Sequence, residues 1–253
     1  MLLLLSWVSG VDFLSLLGPS ADQPAANVGA GGRAASSPEE ERLVDFVDAV
    51  MRDAQAIWTE LLPAEYQETR AVLFRDAIQS ACGFAQAATG PFYCPADRRV
   101  YLDLGFFDEL HSRLGAPGDF AQAYVLAHEV GHHVQTVLGI EGQVRRAQQA
   151  QPQRANALSV LVELQADCFA GVWGHAAAQP GRSLRGQVEL EQGDIEEGLN
   201  AAGAIGDDRL QRMASGRVAP DRFTHGSSAQ RVQWFRRGLE SGSPDACNPF
   251  ESR

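Results

Sequence analysis

Apolar residues recur at helical spacing along most of the chain after residue 37. Over residues 38–61 they stand three and four positions apart, and Ser37, Pro38 and the three glutamates that follow are typical of a helix start. The same spacing predicts further helices over about 119–138, 153–178, 189–203 and 227–239. Gly139 and Pro180 follow two of these segments, where residues that end helices are expected. Helix is therefore the dominant structure that the pattern predicts.

Short strands are predicted between the first two long helices. Residues 71–75 and 99–104 are rich in apolar, β-branched and aromatic side chains, as strands are. Residues 90–97 predict a strand that enters a turn at Pro95. Long helices with a few strands in one region indicate an α+β fold, which we expect to be predominantly helical with a small antiparallel sheet.

The first 37 residues have a different composition from the rest. Residues 1–18 are mostly apolar, with one charge at Asp12 and no basic residue before Arg33, so they match part of a membrane anchor or secretion signal. Residues 19–37 are mainly Gly, Ala, Ser, Pro and Asn, which is typical of a flexible linker. We predict membrane association through residues 1–18 and a folded domain over 38–253. The alternative for residues 1–18 is an amphipathic helix that packs on this domain.

Overall charge narrows the choice of partners. The 253 residues include 21 Lys and Arg against 32 Asp and Glu, which gives a net charge of −11. Proteins that bind nucleic acid usually present a basic surface, so we expect no nucleic-acid partner. With 45% hydrophobic and 21% charged residues, the composition is that of an ordinary globular domain.

The predicted 119–138 helix contains the sequence HEVGH at positions 128–132. Residues four apart lie on the same side of a helix, so His128 and His132 point to one place, as two zinc ligands must. Glu129 lies about 100° further round, close enough to act as a general base on a water at the metal. A hydrogen-bonded core cluster is the alternative. His133 points away from this face and is expected to be structural.

A catalytic zinc needs a third protein ligand. The metzincin arrangement requires histidine at position 138, where the chain has Leu138. The next predicted helix offers Glu163 and Asp167, again four apart and on one face. We predict that Glu163 is the third ligand of one zinc per chain. Asp167 would accept the outer N–H of a ligand histidine and fix its tautomer.

The segments HEVGHH, ELQADCFAG and FTHGSSAQR together resemble the bacterial YpfJ-like neutral zinc metallopeptidases, within the gluzincins. The resemblance extends over about residues 42–250 and implies a zincin-like domain that hydrolyses peptide bonds in peptide or protein substrates. Glu129 would be the general base. In integral-membrane gluzincins a Thr-His pair is followed by an arginine at a similar spacing. This similarity implies that His225 binds the developing oxyanion. Arg231 would steady the loop that carries His225.

Two further expectations concern the function. Gluzincins have an edge strand that pairs with extended substrate shortly before the metal helix, so we expect residues 99–104 to bind substrate in this way. The rival to a peptidase is a membrane-tethered zinc-binding assembly or scaffold protein with little or no proteolysis. Glu129 distinguishes the two, because a metal-binding scaffold does not require an unliganded carboxylate beside zinc.

Four cysteines, an even number, allow three pairings that the sequence alone does not decide, and four free buried thiols are the alternative. We expect Cys82 to pair with Cys94, twelve positions later, and to brace the sheet. We expect Cys168 to pair with Cys247 and to hold the C-terminus on the helix of Glu163. With the apolar leader, two disulfides predict a membrane-anchored protein whose catalytic domain lies outside the cytoplasm.

Overall fold

The computed structural model describes residues 37–86 and 90–250, so the predicted anchor at 1–18 and almost all of the 19–37 linker lie outside the described residues. The helices are α1 (Pro38–Leu61), α2 (Phe106–Ser112), α3 (Asp119–Val137), α4 (Ile140–Ala150), α5 (Ala155–Ala177), α6 (Asp194–Ala204), α7 (Asp207–Ser215) and α8 (Ser228–Ser241). The strands are β1 (Arg70–Phe74), β2 (Ala77–Ser80), β3 (Gly83–Gln86), β4 (Phe92–Cys94) and β5 (Arg99–Asp103).

Helix α5 packs against α3 and α8 at the centre of the domain. Small residues allow these helices to approach closely. A side chain at Gly238 of α8 would stand 1.9 Å from the carbonyl oxygen of Cys168, and one at Gly171 of α5 would stand 2.1 Å from that of Phe235. The surrounding core is aromatic and fully buried, with Trp58, Tyr124, Phe169, Trp173 and Phe235 among its largest side chains.

The strands form a mixed sheet and a separate hairpin. Strand β5 pairs parallel with β1 and antiparallel with β4, which gives the order β1-β5-β4, while β2 and β3 form an antiparallel pair. The predicted α+β class, mostly helical with a small sheet, is confirmed. The expectation of an antiparallel sheet is wrong for β1 and β5. Hydrophobic pattern identifies a strand, but the direction of its partner depends on how the intervening chain crosses over.

The predicted edge strand, residues 99–104, is wrong as well. Strand β5 lies in the middle of the three-stranded sheet, and β4 forms the edge next to it. All residues of β5 after Arg99 are buried, as expected for a strand with neighbours on both sides. Any extended peptide that adds to this sheet on the β4 side must therefore pair with β4.

Both expected disulfides are present. Cys82, in the turn between β2 and β3, is bonded to Cys94 at the end of β4, with a Cα–Cα distance of 5.7 Å. Cys168 of α5 is bonded to Cys247 near the C-terminus, with a Cα–Cα distance of 5.5 Å. The second bridge holds the chain beyond α8 against the central helix.

One helical segment in the described part of the chain, Pro152–Ala177, is long and apolar enough to cross a membrane. Most of this segment is buried inside the domain, and it includes α5 with Glu163 and Asp167. Its apolar composition therefore follows from its central place in the core.

Candidate metal centre

Three side chains from two helices converge on one point. His128 Nε2 lies 3.2 Å from one carboxylate oxygen of Glu163, and His132 Nε2 lies 3.6 Å from the other. One ligand atom from each residue falls within 4.8 Å of the other two. Bonds of about 2.0–2.1 Å in a tetrahedral zinc site place neighbouring ligand atoms about 3.3 Å apart. The two imidazoles and one carboxylate therefore fit a zinc ion between them.

Close packing of α3 on α5 brings these ligands together. Gly131 lies between the two histidines of the motif, and a Cβ there would stand only 2.9 Å from the carbonyl oxygen of Ala166 on α5. Glycine at this position lets the backbones approach, so that Glu163 reaches the histidines across the helix interface. The middle of the HEVGH motif is thus a packing contact, and its two ends carry histidines that could hold a metal ion.

Asp167 lies behind His128. Its carboxylate is 2.9 Å from His128 Nδ1 and accepts a hydrogen bond of 2.5 Å from the Tyr124 hydroxyl. Arg231 of α8 donates from Nε at 3.0 Å and from a terminal nitrogen at 2.9 Å. Asp167 is 0% exposed and Arg231 is 2% exposed, so this pair is an internal ion pair. Arg231 thus supports Asp167 and His128, whereas the expectation from the family placed it at the His225 loop.

These contacts change the protonation of the metal-free site. Burial lowers the pKa of His128, but the adjacent Asp167 carboxylate outweighs burial and raises this pKa to about 9. Burial raises the pKa of Glu163, but the effect of His132 and His128 together is larger than that of burial. The pKa of Glu163 therefore lies well below its ordinary value. Without metal at neutral pH, His128 is charged and donates to Asp167 and Glu163. A metal ion would replace the proton on Nε2.

Two glutamines that the sequence analysis did not assign to the site lie behind His132. Gln135 Oε1 is 2.9 Å from His132 Nδ1, and Gln135 Nε2 donates to Gln165 Oε1 at 3.1 Å. Gln135 is fully buried and Gln165 is 4% exposed. The signal available in the sequence was a pair of amides among apolar neighbours on the two helices that carry the ligands.

Glu129 lines the same cleft as the three ligands, a cavity of about 520 Å³. Its side chain is largely buried. Within the described part of the chain its carboxylate makes no hydrogen bond or ion pair, unlike Glu163 and Asp167. A carboxylate that faces a cleft beside converged metal ligands can accept a proton from a molecule bound there.

His225 also lines this cleft, on the loop before α8. Asp207, at the start of α7, holds that loop: one carboxylate oxygen accepts the backbone N–H groups of Thr224, His225 and Gly226 at 2.8, 2.7 and 3.0 Å. The other oxygen lies 3.3 Å from His225 Nδ1. This hydrogen bond raises the pKa of His225 although partial burial opposes it. Asp207 was missed from sequence because 18 residues separate it from His225.

The rest of the cleft combines an apolar wall with a strand edge. The apolar wall includes Phe106, Val125, Ile205 and Leu210, and residues Phe92 and Tyr93 of β4 line another side. His133 is buried behind β4, where it hydrogen-bonds the Tyr93 hydroxyl at 3.0 Å and the backbone carbonyl of Gln67. It lies outside the ligand group, in agreement with the structural role predicted for it.

Comparison with known proteins identifies the family. The model of the family described as "Putative neutral zinc metallopeptidase" matches residues 1–250. The chain belongs to this family. The uncharacterized protein YpfJ of Escherichia coli is 48% identical over 253 residues, which cover 98% of this chain and 85% of YpfJ. The uncharacterized protein Rv2575 of Mycobacterium tuberculosis is 43% identical over 210 residues, which cover 81% of this chain and 70% of Rv2575. No solved structure matches the chain.

Zinc is the metal that the family description implies. The donor set agrees with this choice, because imidazole nitrogen and a single carboxylate suit zinc, whereas calcium and magnesium take mostly oxygen ligands. His128, His132 and Glu163 are the residues of the described chain that would hold it.

Proposed function

We propose that this protein is a zinc-dependent metallopeptidase that hydrolyses peptide bonds, with one zinc per chain held by His128, His132 and Glu163. The observation that carries the proposal is the Glu129 carboxylate, which lines the ligand cleft without a hydrogen bond or ion pair to another described residue. Structural zinc sites usually have four protein ligands, and catalytic sites keep one position open. Three ligands beside a cleft and a carboxylate correspond to the catalytic kind.

Zinc held by His128, His132 and Glu163 would supply a Lewis acid that polarises a peptide carbonyl and lowers the pKa of a water to about 7. Glu129 accepts a proton from the attacking water and transfers it to the leaving amine. His225 in its charged form donates a hydrogen bond to the oxygen that gains negative charge. Asp207 favours this charged form, since it raises the pKa of His225. Asp167 and Arg231 keep His128 in place from behind.

The substrate is an extended stretch of a peptide or protein that adds as a strand along β4. Strand β4 pairs with β5 on one side, and its residues Phe92 and Tyr93 line the cleft that contains the metal ligands. Backbone hydrogen bonds to a strand edge bind many sequences, while side-chain pockets give the preference. The wall formed by Phe106, Val125, Ile205 and Leu210 favours an apolar side chain there.

We further propose that the catalytic domain lies outside the cytoplasm and is attached to the membrane through residues 1–18. The two disulfides support an oxidising compartment. The attachment rests on the apolar composition of residues 1–18.

The zinc assignment is tested by metal analysis of the purified protein. We expect about one zinc per chain in the unaltered protein and loss of stoichiometric zinc in His128→Ala and in His132→Ala, because each removes one of three ligands. His111→Ala, on the surface of α2, is the matched control and should retain the metal. Full zinc occupancy in both ligand variants would contradict the assignment.

The role of His225 predicts a specific pH dependence. Its pKa is raised above the ordinary value in the folded protein, so the charged form is kept to a higher pH than in a free imidazole and is lost as the pH rises through that raised value. In Asp207→Asn the carboxamide can still accept the three backbone N–H groups, but its NH₂ favours the neutral ring. The pKa of His225 should fall, and the alkaline limb of a kcat/KM profile should move to lower pH.

Asp208→Asn is the control for this experiment. Asp208 accepts hydrogen bonds from the backbone N–H and hydroxyl of Ser228, and in the described structure it makes no hydrogen bond or ion pair with His225. The alkaline limb of the kcat/KM profile of Asp208→Asn should match that of the unaltered protein. An alkaline limb of Asp207→Asn identical to that of the unaltered protein would contradict the proposed role of His225.

A further inference from the structure

We propose that Gln135 and Gln165 form a hydrogen-bonded relay that connects His132 to backbone carbonyl groups on α5 and near the C-terminus. This relay fixes the tautomer and orientation of His132. The inference rests on the proposed function, since it treats His132 as a zinc ligand. In this relay each glutamine is a positioning residue. It acts on the metal through His132 and is not one of the three convergent ligands.

The relay starts at a group that can only accept hydrogen bonds. The carbonyl oxygen of Cys247 lies 2.7 Å from Gln165 Nε2, so the amide NH₂ of Gln165 must point toward it. The amide oxygen of Gln165 then faces the other way, where it lies 3.1 Å from Gln135 Nε2. Because that oxygen also only accepts, the NH₂ of Gln135 is the donor.

A second carbonyl strengthens the same orientation of Gln135. Its Nε2 donates to the carbonyl oxygen of Val162, the residue before Glu163, at 2.7 Å. The amide oxygen of Gln135 is thereby turned to His132 Nδ1, 2.9 Å away. An amide oxygen cannot donate, so Nδ1 of His132 carries the proton. In the neutral ring, Nε2 then presents its lone pair on the side of Glu163, which is the form that a metal requires.

The two histidine ligands are therefore supported in different ways. His128 is backed by the carboxylate of Asp167, which carries a negative charge and is itself paired with Arg231. His132 is backed by a neutral amide, so its orientation is fixed without a further buried charge. Each support ties the HEVGH helix α3 to α5, since Asp167, Val162 and Gln165 all belong to α5.

The relay also gives the C-terminal disulfide a function at the metal. Cys168 follows Gln165 by three residues on α5 and holds Cys247 by its bridge. The carbonyl oxygen that Gln165 contacts belongs to that same Cys247. The bridge thus keeps the first acceptor of the relay at hydrogen-bond distance from the helix that carries Glu163.

Zinc affinity of three methionine variants tests the relay. Gln135→Met keeps a similar side-chain size but removes the acceptor from His132, and loss of such an outer partner typically weakens metal binding by about 10–100-fold. Gln165→Met should weaken binding less, because Val162 still accepts from Gln135. Gln148→Met is the matched control: it removes contacts from α4 to Ala155 and Ser159 of α5, but none to His132.

The measurements are the zinc dissociation constant, by competition with a chelator, and the visible absorption spectrum of the protein loaded with Co²⁺. We expect Gln135→Met to weaken zinc binding and change the spectrum, and Gln148→Met to match the unaltered protein in both. Should Gln135→Met fail to fold, Gln165→Met serves as the test, with a smaller change in the same direction.

Wild-type zinc affinity and an unchanged Co²⁺ spectrum in both Gln135→Met and Gln165→Met would overturn the relay while leaving the zinc site intact. A lower unfolding midpoint of the metal-free protein without any change in affinity or spectrum would also overturn it, because that result means a packing role alone. Absence of zinc binding by the unaltered protein would overturn the proposed function, and the relay with it.

Discussion

Replacing Glu129 with glutamine is expected to leave zinc bound and to lower peptide cleavage by about 10²–10⁴-fold, the usual contribution of a general base. Glutamine has nearly the same shape as glutamate, and Glu129 is not among the three convergent ligands, so the metal should remain. The carboxamide cannot accept the proton of the attacking water. Cleavage is measured with quenched fluorescent peptides or an unfolded protein, and zinc by metal analysis of the same sample.

Glu109→Gln is a matched control, because Glu109 lies on α2 and pairs with Arg113, the residue that follows the end of this helix. It should keep both zinc and cleavage. Equal cleavage by Glu129→Gln and the unaltered protein would refute the mechanism. Zinc in both proteins with cleavage in neither would instead favour the zinc-binding assembly or scaffold role that the sequence left as the rival.

Arg231→Met is expected to destabilise the folded protein by about 3–5 kcal/mol, the typical cost of removing one partner of a buried ion pair. Arg231 and Asp167 are almost completely buried. Burial raises the pKa of Asp167, but Arg231 and His128 together outweigh burial and lower it. Without the guanidinium the Asp167 carboxylate keeps its contacts with Tyr124 and His128 but loses the buried cation that contacts both of its oxygens. The free energy of unfolding is measured by denaturant titration.

This measurement is made on metal-free protein with a chelator present, since zinc bound only to the folded state would add its own stabilisation. Arg236→Met, at an exposed position of the same helix, is the control and should change stability by no more than about 0.5 kcal/mol. A loss of less than about 1 kcal/mol in Arg231→Met would show that the pair is not an important part of the core.

The helices that contribute most to the core were predictable, and two helices that bury one residue each were missed. The sequence predicts α1, α3, α5 and α8 to within a few residues of their observed bounds. Helix α4 was missed because Val144 is its one buried residue among those described, and α7 was missed because it buries only Asp207. Both helices are mostly polar, and contacts with their neighbours in the fold stabilise them.

The same distinction holds within the site. His128 and His132, like Glu163 and Asp167, are four residues apart, so helix geometry alone puts each pair on one face. The support of His128 by Arg231 joins residues that are 103 positions apart, and the link from Gln165 to Cys247 joins residues 82 positions apart. No local periodicity relates such residues, so their contacts were not predictable from spacing.

The sequence by itself therefore determined the predominantly helical α+β class, the two helices that carry the candidate ligands and the face on which each pair of them lies. Tertiary structure decided that β4 and not β5 is the sheet edge at the cleft, that Arg231 pairs with Asp167, and that Asp207 holds His225. The physical reason is the range of the interactions. Helix periodicity is fixed by hydrogen bonds between residues four apart, whereas strand order and buried polar pairs depend on how distant segments pack.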